Sequence, residues 1–196
     1  MILKIVGSLL LLVVLAGGGV FVLAKQQPSV ASGLKPIVAS AQSTQSFDAK
    51  VDTMKAAQAE ATKTGKAQPV EVTFTEEELT SKASQATGPI GDTGIAAADT
   101  QVHLSGGNVI ATTTVIVQGI AVNVGVVATP IVVDGKTQIV VKDVQTGALP
   151  LPDAIKQQIN AAIGQAIDPS KLGLPIDISN LTIVDGKLVV KGNAKP

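Results

Sequence analysis

The sequence predicts an α+β protein, in which an N-terminal apolar helix precedes an antiparallel sheet packed against an amphipathic helix. Three observations carry that expectation. Ile5 to Ala24 form an uncharged run bracketed by Lys4 and Lys25. Short β-branched runs broken by Gly-rich and Asp-Gly turns fill much of residues 68–196, and Asp-Gly between such runs is a strong hairpin signal. Between those hairpins, residues 153–167 carry apolar side chains at helical spacing.

Composition narrows the function. Lys plus Arg and Asp plus Glu balance at 15 each among 196 residues, so no large field draws nucleic acid or anionic headgroups. No nucleic-acid partner is expected. Cysteine, tryptophan and tyrosine are absent and histidine occurs once. This excludes disulfides, thiolate ligands and lipidation at a cleaved lipobox. Phe21, Phe47 and Phe74 are the only aromatics, so the core must be built from Val, Ile, Leu and Ala.

Residues 1–25 are the first unit. At 1.5 Å rise per residue the apolar run reaches roughly 30 Å, the thickness of a hydrocarbon core. Two readings fit it. Val22-Leu23-Ala24 suits a signal peptide cut after Ala24. The alternative is a retained signal anchor, favoured because the run exceeds the usual apolar length of roughly 7–15 residues in signal peptides. Gly17-Gly18-Gly19 weakens the helix without forbidding insertion. The flanking charges, Lys4 and the amino terminus against Lys25 and Lys35, lean slightly toward an extracytoplasmic domain. The expected location is therefore the cell membrane, single-pass, or outside the cell after cleavage.

Residues 26–45 are rich in Ser, Ala, Gln and Pro without periodicity and read as a flexible linker. Residues 46–66 form a spacer helix. Ser46 to Thr64 is helix-prone through Ala56, Ala57, Ala59 and Ala61, and Gly65 suits its stop. Phe47, Val51, Met54 and Ala57 make a narrow stripe. A helix docked on the domain is expected, with a partly frayed spacer as the alternative.

The strand-rich ectodomain covers residues 68–196. Pro69 to Phe74 alternates as a short strand, and Thr75 then caps a helix with Glu78 placed to complete the capping box. Glu76, Glu77 and Glu78 also meet the positive end of the helix dipole. Cap and dipole explain these carboxylates without a metal. The helix should reach about Ala86, ended by Gly88-Pro89.

Strands follow at Thr100 to Leu104, Val109 to Val117, Ile120 to Ala128, Ile131 to Val133, Thr137 to Val141, Leu181 to Val184 and Leu188 to Val190. Asp134-Gly135-Lys136 and Asp185-Gly186-Lys187 repeat one turn pattern. After Pro152, a helix from Asp153 to about Ile167 places Ile155, Ile159, Ala162, Ile163 and Ala166 on one face. Strands with one wet face alternate apolar and polar residues. Ile120 to Ala128 is apolar on nearly both sides, with Asn123 and Gly125 as exceptions. Such a sheet needs cover on both faces, from helices and from a second layer, a partner or a lipid. Small side chains leave room for a ligand groove, and equally permit thin, closely packed layers.

The order Thr75-Glu-Glu-Glu-Leu-Thr80, hairpins, Gly147-Ala-Leu-Pro-Leu-Pro152, amphipathic helix, then Leu181-Thr-Ile-Val-Asp-Gly-Lys-Leu-Val-Val-Lys-Gly192 resembles the YpmS-like and LmeA-like families of bacterial cell-envelope proteins. Those families are similar to TULIP lipid-binding domains, in which a curved antiparallel sheet wraps a long helix as a half barrel and leaves an apolar groove. The resemblance covers roughly residues 68–192. It implies a groove lined by Val115, Val117, Val122, Val124 and Val126 of the sheet and by Ile155, Ile159 and Ile163 of the helix. Taken singly, each of these also fits an ordinary core position. The partner implied is a membrane lipid or other hydrophobic ligand.

Little chemistry competes with that reading. His103 is expected as a partly exposed strand residue, and no G-x-S-x-G elbow accompanies it. One histidine with carboxylates alone makes a poor zinc set. A glycosidase pair from Asp134, Asp143, Asp185 and Glu71 is opposed by the turn roles of two of them. Phosphate and dinucleotide loops are absent. The expectation is a non-enzyme with no catalytic residues, metal or cofactor. The alternative function is a structural or protein-interaction domain of the envelope, with a solid core and an envelope protein as partner.

Overall fold

The computed structural model describes residues 28–85, 88–89, 95–117, 120–133, 136–146, 149–150 and 176–196. Over these residues the chain is α+β, with two helices and two antiparallel sheets, neither closed. The expected transmembrane segment and the expected helix at 153–167 lie outside the described residues. Among the described residues no helix is long and apolar enough to cross a membrane.

Helix α1 spans Ala41–Thr64, so it begins five residues before the expected Ser46. Ser40 caps it by accepting from Ser43 N–H at 3.0 Å. Ser40 N–H in turn donates to Ser81 Oγ at 3.0 Å, which fixes where the helix starts. Gly65, at φ 67°, ends it in the left-handed region. The helix is docked, not frayed: Phe47, Val51, Met54 and Ala61 are buried and Ala57 packs beside them.

Their partner is a three-stranded sheet in the order β1-β9-β8, formed by β1 (Gln68–Thr75), β8 (Ile176–Val184) and β9 (Lys187–Ala194). Val70, Val72 and Phe74 of β1 alternate inward. The Phe47 and Phe74 rings lie 4.9 Å apart, tilted by 39°. Burial of each such side chain stabilises by roughly 1.5–3 kcal/mol, so this small cluster suffices to hold α1 down. Asp185 and Gly186 turn between β8 and β9 with φ of 50° and 68°, the two positive values a type I′ hairpin requires. Gly192 sits where a bulge at Ile178/Asn180 folds β8 over it. A Cβ there would lie 2.2 Å from the Asp177 carbonyl oxygen, so only glycine fits.

Helix α2 (Glu76–Gln85) opens on the expected capping box. Thr75 N–H donates to Glu78 Oε2 at 2.9 Å, and Glu78 N–H donates to Thr75 Oγ1 at 3.3 Å. Glu78 also accepts Lys50 Nζ at 2.5 and 2.7 Å and Ser46 Oγ at 2.5 Å, tying α2 to α1. Burial by itself raises the Glu78 pKa. The donors Lys50, Ser46 and Thr75 N–H, with the Lys50 charge, outweigh it and hold the carboxyl below its ordinary value.

The larger sheet runs β2-β3-β4-β5-β6-β7, from Gly88–Pro89, Ile95–Ser105, Asn108–Val117, Ile120–Val133, Lys136–Thr146 and Leu149–Pro150. Every neighbouring pair is antiparallel. β5 is one strand, not the two short runs expected. Pro130 lies past the last β4 pairing, Val109 with Ala128, where a missing N–H breaks no ladder on that side. A bulge at Val127/Ala128 accommodates the change. The outer edge of β3 is covered by α2. Thr80 Oγ1 donates to Val102 O at 3.2 Å and accepts Val102 N–H at 2.9 Å. Glu76 Oε1 accepts Leu104 N–H at 2.5 Å, and Ser84 Oγ donates to Thr100 O at 3.2 Å. Side chains of a helix thus complete a strand edge that has no neighbour there.

Candidate functional site

The pairing register gives the six-stranded sheet two unlike faces. On one, Val102, Ala111, Val126 and Val144 form a rank across β3 to β6, and Leu104, Val109, Ala128 and Val141 form the next. Apart from half-buried Val109 these are all buried. Thr100 and Thr113 enter the same face without cost in unpaired groups. Their hydroxyls lie 3.0 Å apart and Thr113 Oγ1 also donates to Ala98 O at 3.1 Å. β8 passes close to β3, β5 and β6, bringing the two sheets together.

Of the expected groove residues, Val124 and Val126 are buried on this apolar face, two positions apart in β5. In the ladder Val115 pairs with Val122, and Val117 with Ile120. The side chains of Val115, Val117 and Val122 lie outside the described residues, as do Ile155, Ile159 and Ile163. The structure therefore brings together two of the eight side chains.

The opposite face is polar and covered in a way composition did not reveal. Residues 28–37, within the expected linker, lie across it as a strap. Ser29 Oγ donates to Gln145 Oε1 at 2.7 Å, Val30 N–H donates to the same oxygen at 3.2 Å, and Ile37 N–H donates to Gln101 Oε1 at 3.3 Å. At the first of those anchors the strap presses on Gly125, where a Cβ would come within 2.4 Å of Val30 Cγ2 and 2.9 Å of Pro28 Cβ. The one glycine in this strand is what lets the strap approach. Gly125 was legible as an exception in an apolar strand; its partner was not.

Beneath the strap is a cavity of about 420 Å³, lined by Leu34, Pro36, Gln101, His103, Thr112 and Asn123 among others. His103 is only 5% exposed, which corrects the expectation of a partly exposed residue. The strap is the reason, since it roofs the face that His103 occupies. Burial lowers the imidazole pKa below its ordinary value, and the nearby Glu76 charge opposes this without reversing it. A neutral imidazole at pH 7 follows. Ser105 and Asp99, its nearest candidates for a triad in sequence, are both exposed. Among the described residues no group of three His, Asp or Glu is arranged to hold a metal ion.

A family model described as LmeA-like phospholipid-binding matches residues 15–193, and the chain belongs to that family. Comparisons with curated proteins and with solved structures found no match.

Proposed function

We propose that this member of the LmeA-like phospholipid-binding family is a non-catalytic, membrane-tethered extracytoplasmic domain that takes a lipid acyl chain against the apolar face of its larger sheet. The observation that carries the reading is the pair of apolar ranks through Val126 and Ala128, inside the matched span. In this reading Val115, Val117, Val122, Val124 and Val126 form the sheet wall of a half barrel. Ile155, Ile159 and Ile163 supply the helical wall. Each methylene removed from water contributes about 0.8 kcal/mol. Some ten methylenes would give roughly 8 kcal/mol, enough to offset much of the entropy lost on binding. The uncharged run Ile5 to Ala24 supports the tether.

Native mass spectrometry of the full chain, purified from membranes, tests the ligand. The expected result is a population carrying phospholipid, restored after delipidation by incubation with phosphatidylglycerol vesicles. A chain that stays lipid-free in both experiments refutes it. Alkaline extraction of membranes tests the tether, which requires the chain to remain in the pellet.

A second reading is favoured by one observation. Val144 has no exposed surface and Ala128 is 1% exposed, as in a solid interior. In that reading the domain is structural, and binds an envelope protein through another surface.

A further inference from the structure

The free edge of β1 has an unusually well-defined set of donors. Asp185 and Gly186 make a two-residue turn, so the flanking pair Val184 and Lys187 is hydrogen-bonded, and alternate β9 residues direct their peptide groups to β8. Ser179 Oγ donating to Lys191 O at 3.2 Å lies on that side. Leu188, Val190 and Gly192 therefore face β1, where they pair with Phe74, Val72 and Val70. The peptide groups of Glu71 and Thr73 must then point away from the sheet. No other strand among the described residues pairs with β1.

That outward edge is short and stopped at both ends. Pro69 has no N–H. Thr75 N–H is taken by Glu78. Only Glu71 and Thr73 offer donors, and the stretch is symmetric about Val72. An open crevice of about 420 Å³ runs beside it, bounded by Lys50 and Thr53 of α1 and by Lys187. A strand added at the usual spacing of about 4.8 Å enters that space.

We infer that β1 pairs with β1 of a second copy of this chain, antiparallel about a two-fold axis at Val72, joining two three-stranded sheets into one of six strands. Self-pairing matches the stops as well as the donors. Glu71 of each copy falls opposite Thr73 of the other, giving two reciprocal pairs of backbone hydrogen bonds. Pro69 of each copy falls opposite Thr75 of the other, so the residue without a donor meets the residue whose donor is already used. No edge donor is left unpaired in the dimer. Lys191, 3.1 Å from Glu71 in its own copy, balances the carboxylate beside the seam. The two-fold closes the contact, so it makes a dimer rather than a fibre.

Light scattering of the full chain in mild detergent reads the mass. The expected result is twice 19.8 kDa at high concentration, falling to one copy on dilution. Thr73→Glu sets like charges opposite at two symmetric points and should weaken association roughly tenfold, whereas Thr73→Lys should hold or tighten it. Thr73→Pro removes an outward N–H without touching the β1-β9 ladder and should give a single copy with an unchanged circular dichroism spectrum. If that variant misfolds, the Glu and Lys variants still decide. A single-copy mass at every concentration overturns the inference, and so does a dimer that the Glu and Lys variants affect alike.

Discussion

Gln101 and Gln145 stand in one register row, joined across β4 and β5 by Thr112 and Gly125, and each side-chain oxygen accepts a backbone N–H from opposite ends of the same strap. The strap is thus clasped at both margins of the sheet, with a glycine between the clasps. Clasp and glycine should fail differently.

Gln145→Ala removes the acceptor for Ser29 and Val30. Each of these two hydrogen bonds contributes about 1 kcal/mol net, so limited proteolysis within residues 28–37 should accelerate roughly thirtyfold. Gly125→Val should release the strap outright, because its side chain claims the space of Val30 and Pro28. Far-UV circular dichroism should show the sheet intact in both. Cleavage at the wild-type rate in both variants would show the strap contributes nothing.

Among the described residues two groups tie stability to pH, in separate windows. Glu78 has a folded pKa below its ordinary value of 4.5. Its contribution is complete above that value and is lost as pH falls through the folded one. His103 also has a lowered pKa, from an ordinary value of 6.5. The unfolded chain takes up its proton first, so stability declines as pH drops below about 6.5. Urea denaturation should therefore show Glu78→Gln costing roughly 2 kcal/mol at pH 7 and less at pH 3. His103→Leu should flatten the decline between pH 7 and 5 and leave the acid limb in place. A wild-type slope in that variant would exclude the imidazole as its source.

Val126→Phe separates the two functional readings. Where an acyl chain occupies the face, the ring fills part of its site, so lipid uptake falls while the denaturation midpoint holds. In a solid interior the larger side chain overpacks and costs roughly 1–3 kcal/mol. Uptake and stability measured on the same preparation give the answer.

Gly192→Ala should be among the costliest single-methyl changes in the chain. Its Cβ collides with backbone, the Asp177 carbonyl, rather than with a movable side-chain end. A loss above roughly 2 kcal/mol in urea is expected. A neutral outcome would mean that the bulge in β8 relaxes freely.

Local chemistry was the legible part of this fold. The Thr75–Glu78 box, the Asp185-Gly186 hairpin and the Phe47-Val51-Met54 stripe each depend on residues within one turn or one helix face, and each formed as read. Long-range choices were not. Nothing within residues 28–37 states that Gln101 and Gln145 wait for their N–H groups some 64 and 115 residues on. Ile120 to Ala128 and Ile131 to Val133 were expected as separate runs, because whether a strand continues through Pro130 depends on where β4 ends. His103 looked half-exposed because its cover comes from the strap. Of the groove, the sheet wall could be read as an apolar run, but whether it faces lipid or packed protein depends on the opposite wall.

Glu76 and Glu78 sit two residues apart in the opening turn of α2, yet one is bonded to the larger sheet through Leu104 and the other to α1 and β1 through Lys50 and Thr75. The two sheets share no strand. A single helical turn therefore rivets them, alongside the passage of β8 near β3, β5 and β6, and heat should not loosen one half ahead of the other: calorimetry should record one cooperative melt.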